Sequence, residues 1–376
     1  MEKYVSDFFR LISLNIRTII KGRYEAGITD LNALCNLALI RLDRAWSMPP
    51  HKNLPRLSKT QRKQMKAFYA PYVRNMTDLY HRFYTAKTGK FYPHYIPEEL
   101  YATHIDRYLS NRKEATYLDN KCYYYRIFSN IKQPELVVMR IGKSWLNSKL
   151  ELISQAEAVQ LAGEEKEVVV KKAVDSESGY GVYFMSGEEI SKGFTRMMRD
   201  IPCDVVIQRP LRQHPMLAEL HKESVNTLRI ISLMTENKVK IYAVCLKIGV
   251  GSSRVDNGTQ GGMYCGVNRD GTLKDFAIRD LSGMVVTHHP DLGYAFAGKK
   301  VPHLDRALRL VKKAHSFMGH FRLISWDISI DENGDAVLVE ANFSLGGISN
   351  VQMCTGPLFG KDTKKILDEV FKNERK

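Results

Sequence analysis

Apolar positions recur at helical spacing through the first third of the chain. Phe8, Leu11, Ile12, Ile16, Ile19 and Ile20 fall on one face of a 3.6-residue period. Leu31, Leu34, Leu37 and Ile40 extend the pattern between Ile28 and Trp46, until Pro49-Pro50 stops it. Between Leu57 and Thr88, Lys and Arg alternate with Phe68, Tyr69, Tyr72, Tyr80, Phe83 and Tyr84. That stretch suits either a core stripe with charged flanks or a basic surface for an acidic acceptor or membrane. From about residue 116 the texture changes. The β-branched run VVVKKAV (168–174) predicts a strand, followed by the small-residue loop DSESGYG and the short strand VYFM. A helix is predicted from Glu188 to Arg199, and a buried strand at DVVIQRP (204–210). NTLRIISLM and KVKIYAVCLKIG flank a turn at Glu236-Asn237, and MYCGVNRDGTLKDFAI turns near Asn268–Gly271. After a helix from His303 to His320, LISWDISIDENGDAVLVEANF reads as a third hairpin. The predicted class is α+β, with antiparallel sheet in the C-terminal half.

Composition changes this picture only in places. With 376 residues, 44% of them hydrophobic, the chain can bury more than one core. No run reaches the roughly 18 apolar residues of a membrane span. Asp7, Arg10, Asn15 and Arg17 interrupt the N-terminal apolar face, and no small-residue cleavage site follows, so a cytoplasmic protein is expected. The six cysteines (35, 122, 203, 245, 265 and 354) form no CxxC pair and read as reduced thiols. A formal charge of +15 suits polyanions. Without zinc-finger spacing or an RNA-binding aromatic signature, nucleic acid is not an expected partner. An acidic glycan, a phosphorylated substrate and peripheral contact with an anionic membrane or glycolipid stay open.

The third hairpin carries the most chemistry. Asn333-Gly334 is the preferred pair for a two-residue type I′ turn. That turn pairs Glu332 with Asp335 and Ile330 with Val337, and so sets Asp327 opposite Glu340. Strand alternation puts Glu340 and Asn342 on that face and turns Trp326, Ile328 and Ile330 into a core. Directly opposed acids repel, so positive charge is expected between them. Three hard oxygen donors suit Mg²⁺, which completes its shell with water and phosphate oxygens. No GxxxxGK[ST] or strand–GxGxxG–helix motif is present. What precedes the loop instead is Lys171-Lys172, and Gly179-x-Gly181 can let backbone N–H groups approach an anion. Arg229 and Lys247 sit inside apolar strands and are expected at an edge or paired with anions. Lys121 precedes a short predicted helix.

Taken in order, LDNKCYYYRIF, VVVKKAVDSESGYGVYFM, VVIQRPLRQHPMLAEL, SVNTLRIISL, RVDNGTQGGMYCGV and LISWDISIDENGDAVLVEAN resemble the sugar-transfer-associated family of the ATP-grasp superfamily. The resemblance spans about residues 115 to 350. It implies a fold of two α+β subdomains that sandwich ATP, preceded here by a helical region. The division would be 1–115 helical, 116–205 the small subdomain with the phosphate loop, and 206–376 the large subdomain with the metal site. By resemblance, Lys121 and Lys171 hold the α and β phosphates, and the loop with Ser178, Gly179 and Gly181 closes over them. Gln208 to Leu211 form the hinge beside adenine. Arg229 stabilises the transferred phosphoryl group with Lys247 nearby, and Asp327, Glu340 and Asn342 bind Mg²⁺. The family usually has proline after the first strand lysine. Here that position is Lys172, so either lysine could face the nucleotide. Asn257 and Gly261-Gly262 sit where the family closes its site.

The activity this implies is a carboxylate–amine ligase using ATP and Mg²⁺ in polysaccharide or glycoconjugate assembly, for example joining an amino acid to a uronic acid. A kinase acting on a sugar or other hydroxyl would use the same groups, and a scaffold that binds glycan or membrane without catalysis is a third alternative. His214 and His221 flank the hinge as ordinary polar histidines or as a general base.

Overall fold

The computed structural model describes residues 53–374, apart from 111, 119, 175–180, 202, 237, 257–260 and 280–282. The helices expected between Phe8 and Trp46, and Cys35, Ser178, Gly179, Asn237 and Asn257, lie outside the described residues.

Two antiparallel sheets organise the chain. The first has six strands: β1 (Leu136–Ile141), β2 (Ser144–Asn147), β3 (Leu152–Ile153), β4 (Glu167–Lys172), β5 (Val182–Ser186) and β6 (Val205–Gln208). Their spatial order is β3-β2-β1-β6-β4-β5. The second has seven: β7 (Leu228–Thr235), β8 (Lys238–Ile248), β9 (Met263–Val267), β10 (Leu273–Arg279), β11 (Met284–Val286), β12 (Leu323–Ile330) and β13 (Ala336–Asn342). They are ordered β11-β10-β9-β8-β7-β12-β13. The three expected hairpins form as β7–β8, β9–β10 and β12–β13.

Helices cover the sheets. α1 (Lys59–Tyr69) and α2 (Leu79–Thr88) come first. α3 (Gln155–Gly163) and α4 (Gly187–Asp200) each begin at a serine with a glutamate three residues into the helix. In α4, Ser186 accepts from the Glu189 N–H while Glu189 reaches back to Ser186, which satisfies two otherwise orphaned donors. These two helices pack on one face of the small sheet, where Ala158, Ala162, Ile190 and Phe194 meet Val168, Val170 and Ile207. α5 (Leu304–Ser316) covers one face of the large sheet, over Ile230, Trp326 and Ile328. Trp326, Ile328 and Ile330 are fully buried there, as strand alternation predicts.

The opposite face of the large sheet is divided along its length. Ile231, Leu233, Ala243, Cys245 and Leu323 lie under α1, α2, α6 (Ser349–Thr355) and α7 (Thr363–Glu374). Tyr69, Tyr80, Phe83 and Tyr84 belong to this core, so the aromatic positions of 57–88 form a buried stripe. The far end of the same face carries Arg229, Lys247 and Asp327, free of helical cover from that core.

The turn of the third hairpin differs from the two-residue turn expected. Gly334 N–H donates to the Asp331 carbonyl at 2.9 Å, and Asp331 N–H donates to Asp335 at 2.9 Å. Three residues, Glu332 to Gly334, form the loop, and Gly334 takes the left-handed conformation (φ 80°). A side chain there would also run into His303. Ile330 therefore pairs with Ala336 instead of Val337. A bulge at Val339 then restores the count, because Ile328 pairs with Leu338 while Asp327 pairs with Glu340. The Leu338 N–H donates to the Lys132 carbonyl at 2.9 Å. The expected pairing of the acids is thus reached by a different turn.

Candidate active site

Charge gathers where the two sheets approach. Asp327 on β12 lies between Arg229 on β7 and Glu340 on β13. Arg229 grips it with both arms of its fork, Nε to Oδ1 at 2.7 Å and Nη2 to Oδ2 at 3.2 Å. Lys247, on β8, reaches Oδ2 at 3.1 Å and Asp256 Oδ1 at 3.4 Å. Burial opposes ionisation of Asp327, but Arg229 and Lys247 outweigh it and hold the carboxyl below its usual range. Burial likewise opposes the Lys247 ammonium, and Asp256 and Asp327 more than restore it. An arginine and a lysine inside apolar strands are tolerated because each is paired.

Glu340 is neutralised separately. Lys121 Nζ lies 2.9 Å from its Oε1. Lys121 sits on a 3₁₀ turn, Lys121–Tyr123, whose start is capped by Asn120 Oδ1 accepting from Cys122 N–H. Its own N–H donates to Ala173 at the end of β4, so one residue bridges both sheets. The positive charge expected between the opposed acids is supplied by the protein itself, through Arg229, Lys247 and Lys121. Asn342, paired with Ser325 on that face, donates its amide N–H to the Ser325 carbonyl at 3.3 Å.

Lys171 and Lys172 point to opposite faces of β4. The Lys172 stem lies against Gly181, where an added Cβ would come within 2.8 Å of it. Lys171 faces the charged cluster: burial and then Lys121 push its ammonium down to about 8, while Glu340 and Asp256 act the other way. Of the two lysines, Lys171 is the one turned to the crevice. Register puts Val169, Lys171, Val206 and Gln208 on this face. Gln208 is buried, and its Nε2 donates to the Tyr125 hydroxyl.

After Gln208 the chain passes from one sheet to the other. Arg209 pairs with Glu135 and Glu165, Leu211 is half-buried, and His214 N–H donates to Ile330 at 2.8 Å. His221 is buried, with Nδ1 2.8 Å from Ser224 Oγ and Nε2 2.9 Å from the Gly251 carbonyl. Both ring nitrogens have protein partners, which suits a loop anchor. The β8–β9 connection also reaches the small sheet. Arg254 forms a fork with Glu167 at 2.6 and 2.9 Å and stacks 3.7 Å over the Phe184 ring.

The structure therefore brings together Lys121, Lys171, Arg229, Lys247, Asp327 and Glu340, with Asn342 beside them, and sets Gln208 and Leu211 along the passage between sheets. Asp256 is the charged member that no sequence periodicity marks. It lies in a loop, and only the fold carries it to Lys247. No described helix is long and apolar enough to cross a membrane.

This architecture is an ATP-grasp fold. The chain belongs to the sugar-transfer associated ATP-grasp family, which matches residues 101–367. None of the proteins of curated function matches it. Among solved structures, it is similar to an L-amino acid ligase from Bacillus licheniformis (15% identity, 68% of this chain and 48% of that one, TM-score 0.37). It is also similar to D-alanyl-alanine synthetase A from Vibrio cholerae O1 biovar eltor str. N16961 (12%, 68% and 65%, TM-score 0.38). A third is the D-alanine-D-alanine ligase from Coxiella burnetii (10%, 71% and 62%, TM-score 0.42). The chain spans about half the length of the first of these.

Proposed function

We propose that this protein is an ATP- and Mg²⁺-dependent carboxylate–amine ligase acting in polysaccharide or glycoconjugate assembly, with a sugar acid such as a uronic acid as the carboxylate. The observation that carries the reading is the cluster of Lys121, Lys171, Arg229 and Lys247 around Asp327 and Glu340, between two sheets. Family membership supports the setting.

In this reading the nucleotide lies between the small subdomain (116–205) and the large one (206–376), with Gln208 and Leu211 beside adenine. Lys121 and Lys171 hold the α and β phosphates, and the loop with Ser178, Gly179 and Gly181 covers them. Among the described residues, no three His, Cys, Asp or Glu side chains group closely enough to hold a metal by themselves. Both oxygens of Asp327 are engaged by Arg229 and Lys247. Glu340 and the Asn342 amide are half-buried and add hard oxygen donors. Such a partial set fits a cation that arrives with phosphate oxygens and water completing its shell. Asp327, Glu340 and Asn342 would hold it. When bound, Mg²⁺ supplies charge neutralisation to the phosphates.

The chain's own contribution is positioning and fixed charge. A carboxylate oxygen attacks the γ-phosphorus as the bond to the ADP oxygen breaks. Arg229 and Lys247 stabilise the charge on the transferred group. An amine then attacks the acyl carbon, inorganic phosphate leaves, and the amine loses a proton. The test is a calorimetric titration with MgADP on the wild type and Glu340→Gln, followed by ADP release with acid–amine pairs. Mg²⁺-dependent binding lost in the variant, and ADP release that requires an amine, would support the ligase. ADP release indifferent to amine would overturn it in favour of a kinase.

A further inference from the structure

Asp256 uses both of its oxygens inside the protein. Oδ2 accepts from the Thr227 N–H at 2.9 Å and from the Thr227 hydroxyl at 2.5 Å. Oδ1 faces the Lys247 ammonium at 3.4 Å. Thr227 also fixes the backbone of that lysine, because its carbonyl accepts the Lys247 N–H at 2.7 Å. One residue therefore holds both ends of the pair.

The connection leading to Asp256 is anchored along its length. Gly249 donates to Asn226 Oδ1 at 3.3 Å, and its carbonyl lies 3.0 Å from His289 Nε2. The Gly251 carbonyl meets His221, and Arg254 ties the segment to Glu167. A lysine has a long flexible stem, and an unanchored ammonium would sample many positions. Here it is fixed between Asp256 and Asp327. Arg229 and Lys247 against Asp327 alone would leave one cation in excess. With Asp256 the quartet is neutral, so Lys247 gains little by meeting a resting phosphate and is oriented for charge that appears later.

Resting on the ligase reading above, we propose that Asp256 is a positioning residue. It acts through Lys247, holding the ammonium where the charge of the transferred phosphoryl group develops, and does not itself touch the nucleotide. Asp256→Asn keeps the shape and an acceptor for Thr227 but removes the charge facing Lys247.

The experiment uses the full chain and isothermal titration with MgADP, alone and with aluminium fluoride as a mimic of the phosphoryl group in flight. MgADP affinity of Asp256→Asn should stay within about threefold of wild type. The extra tightening conferred by aluminium fluoride should fall roughly 10- to 100-fold, the scale of one charge-assisted hydrogen bond. Asp256→Glu, which keeps the charge, should recover part of it. Equal tightening in wild type and Asp256→Asn overturns the inference, as does a wild type that aluminium fluoride does not tighten. Loss of MgADP binding together with a lowered melting temperature makes Asp256 a structural anchor and also overturns it. A wild type that binds no MgADP sinks the ligase reading first; a wild type that binds and tightens while the variant matches it sinks this inference alone.

Discussion

Asp327 and Glu340 face each other across two strands, yet they call for different experiments. Asp327 is 1% exposed and engaged by two cations. Replacing it with Asn leaves Arg229 buried without its counter-charge and Lys247 with Asp256 alone, and we expect a loss of roughly 3–5 kcal/mol in urea unfolding. The Glu340 side chain is 31% exposed and pairs with Lys121. Glu340→Gln should cost less than about 1 kcal/mol and is the cleaner probe of a metal. Lys171 offers a pH test. Burial, then Lys121, disfavour its charge, and Glu340 and Asp256 favour it, with the balance near 8. If phosphate binding needs the ammonium, ADP affinity should hold below pH 8 and weaken about tenfold per unit above it. Lys171→Arg should flatten that decline in the same titration. The opposed acids were legible because hairpin pairing and strand alternation are local, although the turn is one residue longer than expected and the bulge at Val339 restores the register. Their cations were not fully legible, since the order β8-β7-β12-β13 depends on contacts about a hundred residues apart.

At the scale of elements, periodicity and turn residues mark the hairpins and the helices at 187–200 and 304–316. Strands β1 to β3 went unmarked, because short strands of six, four and two residues offer little alternation to detect. The packing of α5 on the sheet carries an acid-sensitive device. Trp326 Nε1 donates to Ser232 Oγ at 2.8 Å, Ser232 lies 2.7 Å from His315 Nδ1, and His315 Nε2 lies 2.8 Å from the Phe321 carbonyl. The chain closes with a neutral ring that donates from Nε2 and accepts at Nδ1. Burial pushes this histidine down to about 4, against the help of the Phe321 carbonyl. His81 in α2 is driven down to about 4 as well, chiefly by burial. Between pH 6.5 and 4 the unfolded chain binds these protons and the folded chain does not, so stability falls as pH drops through that window. Each histidine should remove about 2 kcal/mol between pH 7 and pH 5. Urea unfolding at the two pH values measures the sum, and His315→Gln should make the slope shallower.

The whole molecule has separate cores. Val138, Trp145, Phe194 and Ile207 belong to the core between the small sheet and its helices α3 and α4, while residues from Leu54 to Leu109 share a core with α6, α7 and the large sheet. For 57–88 the sequence left a core stripe and a basic surface both open, and it is the tertiary fold that buries Tyr69, Tyr80, Phe83 and Tyr84 against the large sheet. The two sheets meet partly through exposed ion pairs, among them Arg254 with Glu167. Such pairs are worth little to stability. Arg254→Ala should therefore leave unfolding within about 1 kcal/mol of wild type. By releasing the β8–β9 connection from β4 and β5, it should raise the MgADP dissociation rate severalfold in stopped-flow measurements. An unchanged rate would show that this contact does not govern closure.

The three-residue turn at Glu332–Gly334 and the bulge at Val339 form a matched pair of length changes. Without the bulge, Asp327 would stand opposite Val339, and Glu340 would move to the face that holds Trp326. Twelve residues separate the two acids, and that spacing opposes them through a three-residue turn with one bulged residue, or through a two-residue turn with none. Among relatives that keep both acids at this spacing, a two-residue turn should therefore come with an unbulged strand, and the bulge with the longer turn.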